Sequence, residues 1–168
     1  MAGMLPKDPG SFFKIPDARV AIIGSMWHGQ YVSAMMERAR AELLRCDVFQ
    51  KNIQMHSIPG SLELPFAARV LFERFSDIDA ILAFGVVLQG LTSHDQTVLS
   101  QVSHGFSLVS DRVGKPIINE VIGVVDLKDA AARSGDDSNN KGVEAVFALT
   151  ELLTWKKSLL PSAVKVGF

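Results

Sequence analysis

The chain predicts an α/β protein, a three-layer αβα sandwich on a four-stranded, mainly parallel sheet. Three observations carry that expectation. Short β-branched or apolar runs alternate with segments of helical period. The run AILAFGVVL at residues 80–88 is apolar throughout, as a strand covered on both faces is. No linker, repeat or low-complexity stretch breaks the alternation beyond residue 16. Strand and helix in this succession imply right-handed crossovers with helices on both faces. A chain of 168 residues, 48% hydrophobic, suits one domain with a substantial core.

The elements follow in order. Residues 1–16 hold Pro6, Pro9, Gly10 and Pro16 and show no period, so they read as an arm; Phe12, Phe13 and Ile15 suit docking, for instance on another subunit. Residues 17–160 form the domain, and 161–168 a tail. RVAIIG at 19–24 is a short strand. Residues 31–45 form a helix with Val32, Met35, Met36, Ala39 and Leu43 inward and Glu37, Arg38, Arg40 and Glu42 mostly on the other side. A strand is expected at 52–58, a helix at 60–74 opened by Pro59-Gly60, and the buried strand at 80–88. A helix at 92–112 lines Val98, Val102, Phe106 and Val109 along one face. Residues 116–125 are a further strand. Asp126, with Asp129 three positions on, has capping-box spacing for a short helix over 126–133. A polar turn at 135–140 leads into the last helix, 143–159.

Composition excludes several classes of function. With 17 Lys+Arg against 18 Asp+Glu, the chain lacks the basic excess of a dedicated nucleic-acid binder. No apolar run reaches the length of a membrane span, and the N-terminal residues lack the apolar core of a secretory signal. Cys46, the only cysteine, rules out an internal disulfide, a zinc cluster and a CxxC pair. His56 and His104 stand outside any metal-ligand spacing, so no metal is expected. A soluble, cytoplasmic protein is the expectation that remains.

In this architecture ligands bind beyond the carboxyl ends of the strands. After the first strand, Trp27 either offers its face to an aromatic ligand or packs helix against sheet; His28 reads as a helix-start residue. After the second, Pro59-Gly60-Ser61-Leu62-Glu63 turns into a helix. Its free N–H groups and the Glu63 carboxylate suit a polyhydroxylated ligand, or Glu63 merely favours the helix dipole. After the third, Gly90 permits close backbone approach. Thr92 or Ser93 caps a helix start able to hold an anion, with His94 one turn in as a candidate proton shuttle. After the fourth, Arg133 and Lys141 flank a loop, either as a solvated rim or as an anion clamp.

Together these residues resemble lumazine synthases, 6,7-dimethyl-8-ribityllumazine synthases of riboflavin biosynthesis. The likeness runs over residues 19–159. It is carried by IPGSLELP at 58–65, GVVLQGLTSH at 85–94, and Arg133 with Asn140-Lys141-Gly142, together with Trp27. The resemblance implies a flavodoxin-like fold and a cofactor-free transferase. It would condense 5-amino-6-ribitylaminouracil with 3,4-dihydroxy-2-butanone 4-phosphate, releasing phosphate and water. It further implies that Trp27 stacks on the pyrimidine, that Ser61, Leu62 and Glu63 hold the ribityl chain opposite Asn119, and that Val86, Val87 and Leu88 line the ring pocket. Gly90, Leu91 and Thr92 would meet the butanone phosphate, His94 would transfer protons, Arg133 would clamp the phosphate, and Lys141 would add a further cation. Arg133 and Asn119 would come from a neighbouring subunit of a homopentamer, with multiples up to a sixty-subunit icosahedral shell allowed by the short turn at 133–141. In the family the arm joins a neighbour's sheet; here it either does so or stays loose.

The sequence departs from the family pattern at Leu91, Asp95, Glu120 and Asp126. Asp95 either supports the protonated form of His94 or caps its helix and points away. The departures leave a second function class open, a weakly active or non-catalytic lumazine-binding or shell-forming relative. A flavin-binding module is a third class, for which Met26-Trp27-His28 makes a poor phosphate loop.

Overall fold

A computed structural model describes residues 12–160. Four parallel strands, β1 (Val20–Ser25), β2 (Ile53–Ile58), β3 (Ala80–Leu88) and β4 (Ile117–Val124), stand in the order β2-β1-β3-β4. Helices α1 (Gly29–Arg45), α2 (Leu64–Arg74) and α3 (His94–Val113) make the crossovers; α4 (Leu127–Ser134) and α5 (Lys141–Ser158) follow β4. This is the expected three-layer sandwich.

Strand parity builds two cores. Ala21 and Ile23 of β1 and Ile81 and Ala83 of β3 face Leu64, Ala68, Leu71 and Phe72 of α2 and Val98, Val102 and Phe106 of α3. Their neighbours Val20, Ile22, Ala80, Leu82, Phe84 and Val86 face α1 and α5. Because β3 is central it is buried on both faces as far as Val86, which is why its sequence shows no polar alternation. All five residues expected on the inner face of α1 are buried.

The ends of the elements differ from expectation where local chemistry intervenes. Ser61–Glu63 form a turn of 3-10 helix, and α2 starts only at Leu64, because Pro65 suits the first turn of a helix. Helix α3 starts at His94, with Ser93 at its N-cap making no side-chain cap; neither Thr92 nor Ser93 caps it, and His94 is its first residue rather than one turn in. Asp126 does cap α4, by accepting from the Lys128 N–H at 2.8 Å, so the bond spans two residues and Asp129 is not its partner. Glu42 is fully buried rather than on a solvated face: α4 and α5 flank α1, and Arg38 (2.8 Å) and Arg45 (3.3 Å) neutralise its carboxylate.

The end of the arm docks on its own chain. Phe12 is buried with its ring centroid 5.4 Å from that of Phe147, and the Ile15 N–H donates to the Cys46 carbonyl. The expectations for residues 1–11 and for the tail lie outside the described residues. No described helix is long and apolar enough to cross a membrane.

Candidate active site

The strand order reverses between β1 and β3, since α1 carries the chain from β1 to one side and α2 returns it past β1 to the other. Such a reversal parts the flanking connections and opens a crevice at the carboxyl ends. A cleft of about 480 Å³ lies there, lined by Trp27 and His28 after β1, residues 60–63 after β2, Val86, Val87 and Leu88 at the end of β3, and His94 and Val98 of α3.

The walls are fixed by short-range packing. The Met26 N–H donates to the Ile58 carbonyl at 2.8 Å, tying the ends of β1 and β2 together. The Glu63 carboxylate and the Trp27 indole both lie against the turn at Gly60: a Cβ there would meet Glu63 Oε2 at 2.5 Å, a clash that rotation of the Glu63 side chain relieves, and Trp27 Cδ1 at 3.7 Å, an ordinary contact. Below, a Cβ on Gly85 would meet Ser61 Oγ at 2.9 Å and Ser25 Oγ at 3.3 Å. Trp27 is 72% exposed, which removes the reading of a Trp packed between helix and sheet and leaves its face open to a ligand. His28 adopts φ 55°, a left-handed conformation that costs a non-glycine residue about 1–3 kcal/mol and concentrates at functional sites.

The other expected residues lie elsewhere on the chain. Gly90, Leu91 and Thr92 are exposed on the connection from β3 to α3. Arg133 and Lys141 line a second cleft of about 540 Å³ with Ile122, Gly123, Val124, Asp129 and Ala132. Lys141 is no solvated rim residue: it is 16% exposed, bonded to Glu144 and 3.4 Å from Glu120 Oε2. Arg133 is half exposed, 3.9 Å from Glu144. Asn119 faces the opposite side of β4, where its amide donates to Ser103 Oγ at 3.2 Å beside a groove along α3. The two clefts share no lining residue, so one chain carries the indole and the guanidinium at separate places. Asp95 neither caps α3 nor bonds His94, and its Oδ1 is buried without a partner.

Reasoning from sequence missed Ser25, near the cleft, and Val98, in its wall. Ser25 ends β1 with its hydroxyl buried and unpartnered next to Gly85, and only the strand pairing reveals that. Val98 follows from helical period as a core residue, yet it also floors the cleft. Among the described residues, no cluster of three or more His, Cys, Asp or Glu side chains is arranged to hold a metal ion.

Fold and cleft define an α/β sandwich with a crevice at the sheet's switch point, walled by an exposed indole, an apolar strand end and a turn carrying a carboxylate. The family model for 6,7-dimethyl-8-ribityllumazine synthase matches residues 17–157. The chain therefore belongs to the lumazine synthase family, transferase-type enzymes of riboflavin biosynthesis that bind their substrates as oligomers.

Proposed function

We propose that this chain condenses 5-amino-6-ribitylaminouracil with 3,4-dihydroxy-2-butanone 4-phosphate in a crevice completed by an adjoining subunit. The observation that carries the reading is the meeting of Trp27, Ser61, Leu62, Glu63, Val86, Val87, Leu88 and His94 around one cleft. The Trp27 indole stacks on the pyrimidine between the apolar wall of Val86, Val87 and Leu88 and the turn at 60–63. Backbone N–H groups of Ser61 and Leu62 with the Glu63 carboxylate take the ribityl hydroxyls, and Asn119 of the adjoining subunit meets them from across.

The phosphate ester lies over the uncapped start of α3, where Gly90, Leu91 and Thr92 leave backbone donors available. Arg133 of the adjoining subunit clamps it bidentately, with Lys141 as a second cation. The free amine of the pyrimidine attacks the butanone carbonyl and water leaves as the imine forms; the clamped phosphate departs by elimination, and the ribitylamino nitrogen closes the ring onto the carbonyl that results, with loss of a second water. His94, at the edge of the cleft, carries protons between these steps. Holding two reactants in register supplies much of the acceleration for an intrinsically facile condensation.

The separation of the two clefts on one chain supports a shared site and hence a ring of subunits, a pentamer or multiples of it up to an icosahedral shell. A cytoplasmic location belongs to the same reading. The test is to mix both substrates with purified protein and follow the green fluorescence of the lumazine. Product formed no faster than the spontaneous background, with pyrimidine analogues still bound, refutes the enzymatic reading. Light scattering on the same sample reads the assembly, and a monomer that turns over refutes the shared site.

A further inference from the structure

The mechanism leaves unused one largely buried acid that pairs with a cation of the second cleft. Glu120 of β4 is 14% exposed, and its Oε2 lies 3.4 Å from Lys141 Nζ. The charged groups around it are Lys141 and Glu144 from α5 and Arg133 from α4, with Asp129 of α4 exposed on the rim of the same cleft. Across the sheet its register partner is Phe84, which carries no charge. With the four inner groups ionised, two cations cancel two carboxylates, and little net charge remains to attract a dianionic ester. Lys141 is then held between Glu120 and Glu144.

We propose that Glu120 is a positioning residue for the phosphate ester: ionised, it shares Lys141 with Glu144 and leaves the cluster without net charge, and a solvent proton taken up on its carboxyl removes one of the two carboxylates and gives the cluster the positive charge that the phosphate meets. This rests on Arg133 and Lys141 being the cations that meet that ester. Burial is the main reason that the Glu120 carboxyl is pushed up to about 7; Lys141 and Arg133 oppose the rise and Glu144 adds to it. The carboxyl thus exchanges its proton near neutral pH. An arriving phosphate dianion disfavours the carboxylate further, so binding takes up a proton and departure of inorganic phosphate returns it to solvent.

The experiment compares wild type with Glu120→Gln, which keeps the shape and removes the charge. Between pH 6.5 and 8 the wild-type KM for the four-carbon phosphate rises about tenfold, as expected for a required proton on a group titrating near 7, while the KM for the pyrimidine stays level. The substrate's own second ionisation near pH 6 acts in the opposite sense and equally on both proteins. The Gln variant loses the rise and at pH 8 has a phosphate-substrate KM about tenfold below wild type. A constant ratio of variant to wild type at every pH marks a structural role only and overturns the proposal.

Calorimetry with inorganic phosphate in two buffers of different ionisation enthalpy tests the same point without turnover. Inorganic phosphate sheds a proton of its own on binding as the dianion, equally in both proteins, so the readout is the difference: more proton uptake (or less release) in wild type than in Glu120→Gln supports the proposal, and equal proton exchange in the two overturns it. Because this second readout needs no product, failure of the proposed reaction is told apart from failure of the role of Glu120.

Discussion

Gly142, in the first turn of α5, faces the backbone of Ala39 in α1 so closely that a methyl group on it would lie 2.6 Å from the Ala39 nitrogen and closer still to the Met35 carbonyl oxygen. Both obstacles are main chain, so neither yields by rotating a side chain. Gly142→Ala must push the two helices apart at a contact where Met35 and Ala39 are fully buried. Overpacking of this kind costs about 1–3 kcal/mol or more. Urea unfolding of the variant should show a midpoint lowered accordingly; an unchanged midpoint would mean that the helices separate freely.

Trp27 offers most of its indole to solvent beside Gly60 and Glu63. Stacking of a heterocycle on an aromatic side chain is worth about 1–3 kcal/mol. Trp27→Ala should therefore raise the dissociation constant of a ribitylaminopyrimidine by about ten- to a hundredfold and leave stability nearly unchanged, since little is buried there. Equilibrium binding read by fluorescence or calorimetry checks both halves of the statement.

His94 and Arg133 should separate kinetically. Loss of a proton shuttle matters less in a facile condensation, so His94→Ala slows kcat by about tenfold, below the usual range for general acid–base groups. Arg133→Ala removes a charge-assisted clamp worth about 1.5–3 kcal/mol and should lower kcat/KM for the phosphate substrate by about ten- to a hundredfold or more. Steady-state kinetics with each substrate varied in turn would show the effect of Arg133 in the phosphate substrate alone. Equal effects on both substrates would reverse the assignment.

Stability should carry its own mark of Glu120. Its carboxyl titrates at about 7 in the folded chain against an ordinary value of 4.5, chiefly through burial. The folded state holds that proton more tightly than the unfolded chain, so this contribution to stability is complete below about pH 4.5 and disappears as pH rises through 7. Wild type should thus lose about 2–3 kcal/mol relative to Glu120→Gln between pH 4.5 and 8. Parallel denaturation curves at the two pH values, with no change in the difference, would contradict it.

Much of this architecture is legible in the residues themselves. The unbroken apolar run at 80–88 gives the central strand, and the 3.6-residue spacing of Val32, Met35, Met36, Ala39 and Leu43 gives the inner face of α1, because both patterns record burial directly. Glu42 escapes such a reading: a helical period knows one core, whereas α1 is also covered by α4 and α5, and two arginines neutralise the acid there. The start of α2 shifts because Pro65 dictates local geometry ahead of the hydrophobic period. At the cleft, Trp27, the turn at 60–63 and Val86 converge because parallel topology gathers strand ends. The pairing of Lys141 with Glu120 depends on the seating of α5 against β4, which no local spacing encodes.

The pleat of β4 has a further consequence. Asn119 looks toward α3 and Glu120, one residue on, toward α4 and α5, so a single strand at the border of the sheet equips both of its faces in alternation. Inserting one residue upstream in the strand would exchange their occupants at a stroke.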